Sequence, residues 1–134
     1  MTALLDIEGI GESYAAKLAA VGATTVEKLL KMGSTPKGRK ELAEKSKISN
    51  ALILKWVNHS DLFRIKGVAG EYSELLEAAG VDTVVELAQR KPENLVVKMQ
   101  EVNAAKKVVR HLPVLSQVTD WVEQAKKLPR IISY

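Results

Sequence analysis

Residues 7–30, IEGIGESYAAKLAAVGATTVEKLL, align without a gap on residues 65–88, IKGVAGEYSELLEAAGVDTVVELA, at a constant offset of 58. Nine positions are identical: Ile7/Ile65, Gly9/Gly67, Tyr14/Tyr72, Leu18/Leu76, Ala20/Ala78, Gly22/Gly80, Thr25/Thr83, Val26/Val84 and Leu29/Leu87. The glycines fall between apolar runs and the apolar identities recur at helical spacing, so the two segments are constrained to one geometry. A chain with such a repeat folds as two copies of one unit, and every further reading starts from that unit.

Each copy reads as helices separated by punctuation. Thr2 and Ser60, equivalent under the offset, read as N-caps of a short first helix carrying Leu4-Leu5 in one copy and Leu62-Phe63 in the other. Gly9-Ile10-Gly11 and Gly67-Val68-Ala69-Gly70 break that helix. A second helix is expected over about Glu12–Val21 and Glu71–Ala79, stopped by Gly22 and Gly80 in left-handed C-terminal caps. Thr24-Thr25 and Asp82-Thr83 then cap short helices carrying Val26, Leu29, Leu30 and Val84, Leu87, Ala88. Pro36 and Pro92 suit the first turns of further helices. Ser49 caps a connecting helix with Leu52, Ile53, Trp56 and Val57 on one face, and Leu115, Val118, Trp121, Val122, Ala125 and Leu128 repeat that pattern until Pro129. Trp56-Val57 and Trp121-Val122 form a further matched pair, at an offset of 65. Residues 130–134 are too short for a helix and are expected extended, docked or frayed.

With 134 residues the chain can bury a core unaided, and with no cysteine it has neither disulfides nor thiolate metal sites. Alanine, leucine, lysine and glutamate are abundant, which favours an all-α fold. The start of the chain lacks a basic segment followed by an apolar run, and no stretch reaches membrane-spanning length, so the expected location is cytoplasmic, with no membrane partner. His59 and His111 lie 52 residues apart, without metal-ligand spacing, and read as surface or boundary residues. Ser13, Ser46, Ser49 and Ser60 lack a nucleophile's context, and Gly9-x-Gly11 lacks the third glycine of a dinucleotide fingerprint. No catalytic constellation, cofactor or small-molecule substrate is indicated, and the expectation is a protein that is not an enzyme.

Ile7-Glu8-Gly9-Ile10-Gly11, followed by Tyr14, Ala15 and Leu18, resembles the helix-hairpin-helix pattern of apolar-x-Gly-apolar-Gly leading into an amphipathic helix. Ile65-Lys66-Gly67-Val68-Ala69-Gly70 is a looser version. Over essentially its full length the chain resembles the bacterial domain of unknown function 4332 family, whose members carry this tandem arrangement. The resemblance implies a SAM-like helical architecture of two helix-hairpin-helix repeats with additional connecting helices. It also implies sequence-independent DNA binding through hairpin amides and the following helix N-terminus. By that resemblance the contacting positions are Gly9, Ile10 and Gly11, then Gly67, Val68 and Ala69, with Lys17 and Lys66 nearby. Ala69 stands where the second glycine is expected and Gly70 follows it, so the turn is either rebuilt one residue later or altered.

Charge is distributed against the hairpins. Residues 1–30 carry a net −2 and residues 68–88 a net −5, while residues 31–67 carry +6 and residues 89–134 carry +5. Asp6, Glu8 and Glu12 flank the first hairpin and repel phosphate; Arg64 and Lys66 sit at the second, which is therefore the better phosphate site. Lys37, Arg39, Lys40, Lys45 and Lys47, extended by Lys106, Lys107 and Arg110, read either as a phosphate-tracking stripe or as a solvated helix face; Glu41 and Glu44 favour the latter. Tyr14, Tyr72, Trp56 and Trp121 read as packing residues.

The expectation is one helical domain over residues 1–134, its first repeat and connecting helices in 1–59 and its second repeat and C-terminal helices in 60–134. The leading functional expectation is a non-enzymatic module binding DNA non-specifically, and the alternative is a protein-interaction or scaffolding module that binds another protein or itself without nucleic-acid contact.

Overall fold

The computed structural model describes residues 2–134. All regular structure among them is helical, apart from one isolated antiparallel bridge between Ala3 and Thr25, so the all-α expectation holds. The chain divides into two units, one running to Asp61 and including Ile131–Tyr134, the other spanning Leu62–Arg130.

The first unit begins with a short 3-10 helix, Leu4–Asp6, followed by α1 (Glu12–Ala20), α2 (Val26–Met32), α3 (Pro36–Ser46) and α4 (Asn50–Leu62). Local chemistry sets most boundaries. After α1 the Gly22 N–H donates to the Ala19 carbonyl and the Ala23 N–H to Leu18, with Gly22 at φ +98°, so the helix ends in paired carbonyls. Thr25 Oγ1 accepts from the Lys28 N–H at 3.1 Å and starts α2. Thr35 Oγ1 accepts from Gly38 while Pro36 occupies the first turn of α3. Ser49 Oγ accepts from Leu52 at 3.2 Å and starts α4. Leu18, Leu29, Leu42, Ile53, Trp56 and Val57 are buried here.

The second unit follows the same order, with α5 (Gly70–Ala78), α6 (Val84–Ala88), α7 (Pro92–Lys106) and α8 (Leu115–Lys127). The Gly80 N–H donates to Glu77 and the Val81 N–H to Leu76, matching the end of α1, and Thr83 Oγ1 accepts from the Glu86 N–H. Leu75, Leu76, Leu87, Leu95, Met99 and Trp121 belong to one buried cluster. Three lengths differ from the first unit: α6 has 5 residues against 7 for α2, α7 has 15 against 11 for α3, and residues 107–114 join α7 to α8 where residues 47–49 join α3 to α4. Together these differences carry the tryptophan pair to an offset larger than that of the glycines.

Neither Thr2 nor Ser60 caps a helix. Thr2 instead accepts from Val26 through its carbonyl and donates its N–H to Glu27 Oε1 at 2.8 Å. That bond holds the Glu27 carboxyl below the usual carboxylate range. A depressed carboxylate stabilises the fold above its unfolded-state pKa, and this contribution is lost as pH falls through the folded value. Ser60 lies inside α4 and donates Oγ–H to the Trp56 carbonyl at 2.8 Å. Helix α4 continues past it to Leu62, so no separate first helix forms in the second copy. A serine hydroxyl satisfied by the carbonyl four residues earlier does not interrupt a helix.

The segment after Pro129 is docked. Its Ser133 N–H donates to the Ser34 carbonyl at 2.8 Å, and its Tyr134 hydroxyl donates to Asn58 Oδ1 at 2.9 Å. Arg39 holds it from below: Nη1 donates to the Gly33 carbonyl and Nη2 to the Ser133 carbonyl, both at 2.9 Å, with the guanidinium 5.5 Å from the Tyr134 ring centroid. Arg39 is only 6% exposed. Replacing Arg39 with alanine leaves two carbonyls without a charged donor and is expected to lower the urea unfolding free energy by about 1.5–3 kcal/mol. An Arg39→Ala midpoint equal to wild type would refute this role.

Candidate functional site

The two glycine turns are built alike. In the first, the Ile10 N–H donates to the Ile7 carbonyl at 3.1 Å; in the second, the Val68 N–H donates to Ile65 at 3.1 Å. Ile7, Ile10, Ile65 and Val68 are all buried, so each turn is pinned inward at both apolar positions. Between them Gly9 and Gly67 are exposed at φ +92° and +98°. A side chain there is strained by the backbone at both positions, and at Gly67 the indole also crowds it. A Cβ would lie 3.5 Å from Trp56 Nε1 at Gly9 and 3.0 Å from Trp121 Nε1 at Gly67. Tyr14 packs against Trp56 with ring centroids 4.9 Å apart, and Tyr72 against Trp121 at 5.2 Å. The tryptophan pair thus performs one job in both units, supporting the turn.

The turn is neither rebuilt nor altered at Ala69. Gly11 has φ −91° and ψ −175°, and Ala69 has φ −132° and ψ −164°, both extended conformations open to any residue. A Cβ on Gly11 would meet nothing within 4 Å. Both residues directly precede a nine-residue helix, α1 or α5, and neither helix receives a side-chain cap hydrogen bond. The amides of the first three residues of α1 and of α5 therefore lack intrahelical acceptors and a capping side chain, while Ala15 and Ser73 donate to the Gly11 and Ala69 carbonyls. Ile10 and Val68, by contrast, use their amides inside the turns.

The charged candidates have different surroundings. Lys17 is exposed, with Nζ 5.7 Å from the Tyr14 ring centroid. Asp6, Glu8 and Glu12 are exposed around the first turn. Arg64 is half-buried and donates Nη2 to the Pro129 carbonyl at 2.7 Å, which ties its side chain to the segment after α8. The Lys66 side chain is exposed, while its backbone is clamped on both sides: its N–H donates to Gln124 Oε1 at 2.9 Å and its carbonyl accepts from Gln124 Nε2 at 3.1 Å. Gly70, next to Ala69, is the first residue of α5.

Gln124 is a supporting residue that the sequence reading lacks. Its one available signal is its position three residues after Trp121, on a neighbouring part of the same helical surface. Arg39 leaves the candidate basic stripe because it is buried. His59, expected at the surface or its boundary, is buried at 1% exposure, whereas His111 is exposed. Among the described residues no group of three or more histidines and carboxylates could hold a metal ion, and no helix is long and apolar enough to cross a membrane.

The chain is thus a small all-helical protein in which each exposed glycine turn leads into a helix that no side chain caps. The model of the family described as Domain of unknown function (DUF4332) matches residues 8–128, and the chain belongs to that family. No curated protein matches the chain, and no solved structure does.

Two substitutions separate the roles of the glycines. Gly67→Ala is expected to cost about 1–3 kcal/mol through backbone strain, while Gly11→Ala, which copies Ala69, stays within about 0.5 kcal/mol of wild type. Equal losses in thermal unfolding would contradict the assignment of positive φ as the constraint. For the clamp, Gln124→Ala is expected to speed amide exchange at Lys66 in the folded state; unchanged protection there would show that the clamp does not hold the backbone.

Proposed function

We propose that the two units are helix-hairpin-helix repeats of SAM-like architecture, forming a non-enzymatic bacterial cytoplasmic module that contacts DNA without sequence preference. The observation that carries this reading is the pair of uncapped helix starts reached by exposed turns. Unpaired first-turn amides, backed by the positive end of the helix dipole, suit phosphate oxygens. Exposed Gly9, Gly11, Gly67 and Ala69 let a polyanion approach the backbone closely.

Magnitudes decide between the two hairpins. A helix start favours an anion by about 0.3–1 kcal/mol, whereas a carboxylate about 4 Å from a phosphate opposes it by about 1–4 kcal/mol. Asp6, Glu8 and Glu12 are exposed around the first hairpin and oppose an anion there. The second has one acidic residue in the first turn of α5, Glu71, and brings the exposed Lys66 beside it. Phosphate contact is therefore assigned to the second hairpin, with Arg64 supporting its entry.

Titrating a labelled duplex across a salt series tests the reading. Log affinity is expected to fall linearly with log salt at a slope of about −0.9 per phosphate neutralised, and Lys66→Glu to weaken binding on the order of tenfold at low salt. No binding at low salt, or binding that salt leaves unchanged, would overturn it. The exposed carboxylates around the first hairpin favour a second reading, a protein-interaction or scaffolding module that uses that acidic rim. Under it, light scattering across concentration and salt detects self-association that is lost when Asp6, Glu8 and Glu12 are neutralised, while a monomer under all conditions removes the self-binding form.

A further inference from the structure

We infer that the connection between α7 and α8, residues 107–114, is a second phosphate-contacting element beside the second hairpin; the inference rests on the nucleic-acid reading above. Four observations support it. The first is its length, eight residues where the first unit has three. A longer connection present in only one of the two units is material that the shared frame does not require, and in repeat architectures such insertions commonly build a binding face.

The second is rigidity. Lys107 donates its N–H to the Asn103 carbonyl at 2.8 Å. Asn103 then clamps Val109 from both sides, accepting its N–H on Oδ1 at 2.9 Å and donating Nδ2 to its carbonyl at 3.1 Å. Val109 and Pro113 are buried, and Gln117 Oε1 accepts from the Val114 N–H at 2.9 Å. A surface segment fixed at this many points loses little conformational entropy when it binds.

The third is what the fixed segment exposes. Lys107, Arg110 and His111 are exposed together with Leu112 and Val114, at 37% and 58%. Lys107 and Arg110 suit phosphate oxygens. The fourth is its location. Tyr72, the third residue of α5, donates its hydroxyl to the His111 carbonyl at 3.1 Å. The same ring packs on Trp121, which supports Gly67. One side chain therefore places the basic segment beside the helix start assigned to phosphate. Residues 68–88 have no base of their own, and this contact supplies positive charge that their sequence lacks.

The experiment is duplex binding by the full chain across a salt series, comparing wild type with Lys107→Gln/Arg110→Gln. Circular dichroism and thermal unfolding check that the variant is folded. Loss of two phosphate contacts is expected to weaken binding about tenfold or more at low salt and to make the log–log slope shallower by about 1.8. Amide shifts of the wild-type chain on duplex addition provide a reading that does not depend on the variant, and residues 107–112 are expected to move with residues 66–71. If wild type binds with a salt-dependent slope but the variant matches its affinity and slope, or residues 107–112 stay unmoved, the inference is overturned and the hairpin reading survives. If wild type fails to bind at low salt, both fall.

Discussion

An indole packed beneath a glycine turn is the contact on which each unit depends. Trp56 and Trp121 are 1% and 2% exposed, and each meets the positive-φ glycine of its turn. The arrangement joins three requirements. Positive φ demands glycine at the tip, burial of the flanking apolar residues draws the turn inward, and the indole lies against the glycine, closely enough at Gly67 to crowd a Cβ. A tyrosine from the following helix closes on the indole from the side. Truncating a buried tryptophan to alanine typically costs about 3–5 kcal/mol, a large fraction of the marginal stability of a small domain. The turn, the helix that follows it and the helix that carries the tryptophan are thus set by one local packing event.

On this shared frame the two copies differ in electrostatics. Burial and backbone geometry tolerate exchanges at exposed positions, so Glu8 in one copy and Lys66 in the other cost the fold little. They change what can approach the turn. The same freedom accounts for the longer connection between α7 and α8, which alters no buried residue of the repeated pattern yet adds exposed cations. A frame that depends on a few buried contacts leaves its rim open to change, and fold and ligand chemistry vary separately.

Most of the fold was legible because most of its signals are local. Thr25, Thr83 and Ser49 cap helices, Pro36 and Pro92 open them, and Gly22 and Gly80 close them through interactions within a few residues. The misreadings share a different cause. Ser60 has the same hydroxyl as a cap, but α4 already runs through it, so the oxygen bonds backward to Trp56. Arg39 stands in a lysine-rich stretch, and one of its two carbonyl partners is Ser133, 94 residues away. Gln124 acts on the backbone of Lys66 at a separation of 58 residues, with no side-chain pairing for a pattern to reveal. At Ala69 the missing glycine looked like a defect, because a sequence does not distinguish a glycine required for its φ from one that merely occupies an extended position. The candidate site was less legible than the fold, since it is made of backbone amides and of charges assembled from distant segments.

The docked segment after Pro129 bears on how the chain is made. Residues 131–134 belong to the first unit, where Ser133 pairs with Ser34 and gives Arg39 one of its two carbonyl partners, although the whole second unit intervenes in sequence. During synthesis the N-terminal helices leave the ribosome first and can pack, but the Arg39 guanidinium lacks that acceptor until the second unit has also emerged. The first unit to be translated is therefore the last to be completed, and a chain interrupted within the second unit carries an unfinished first one.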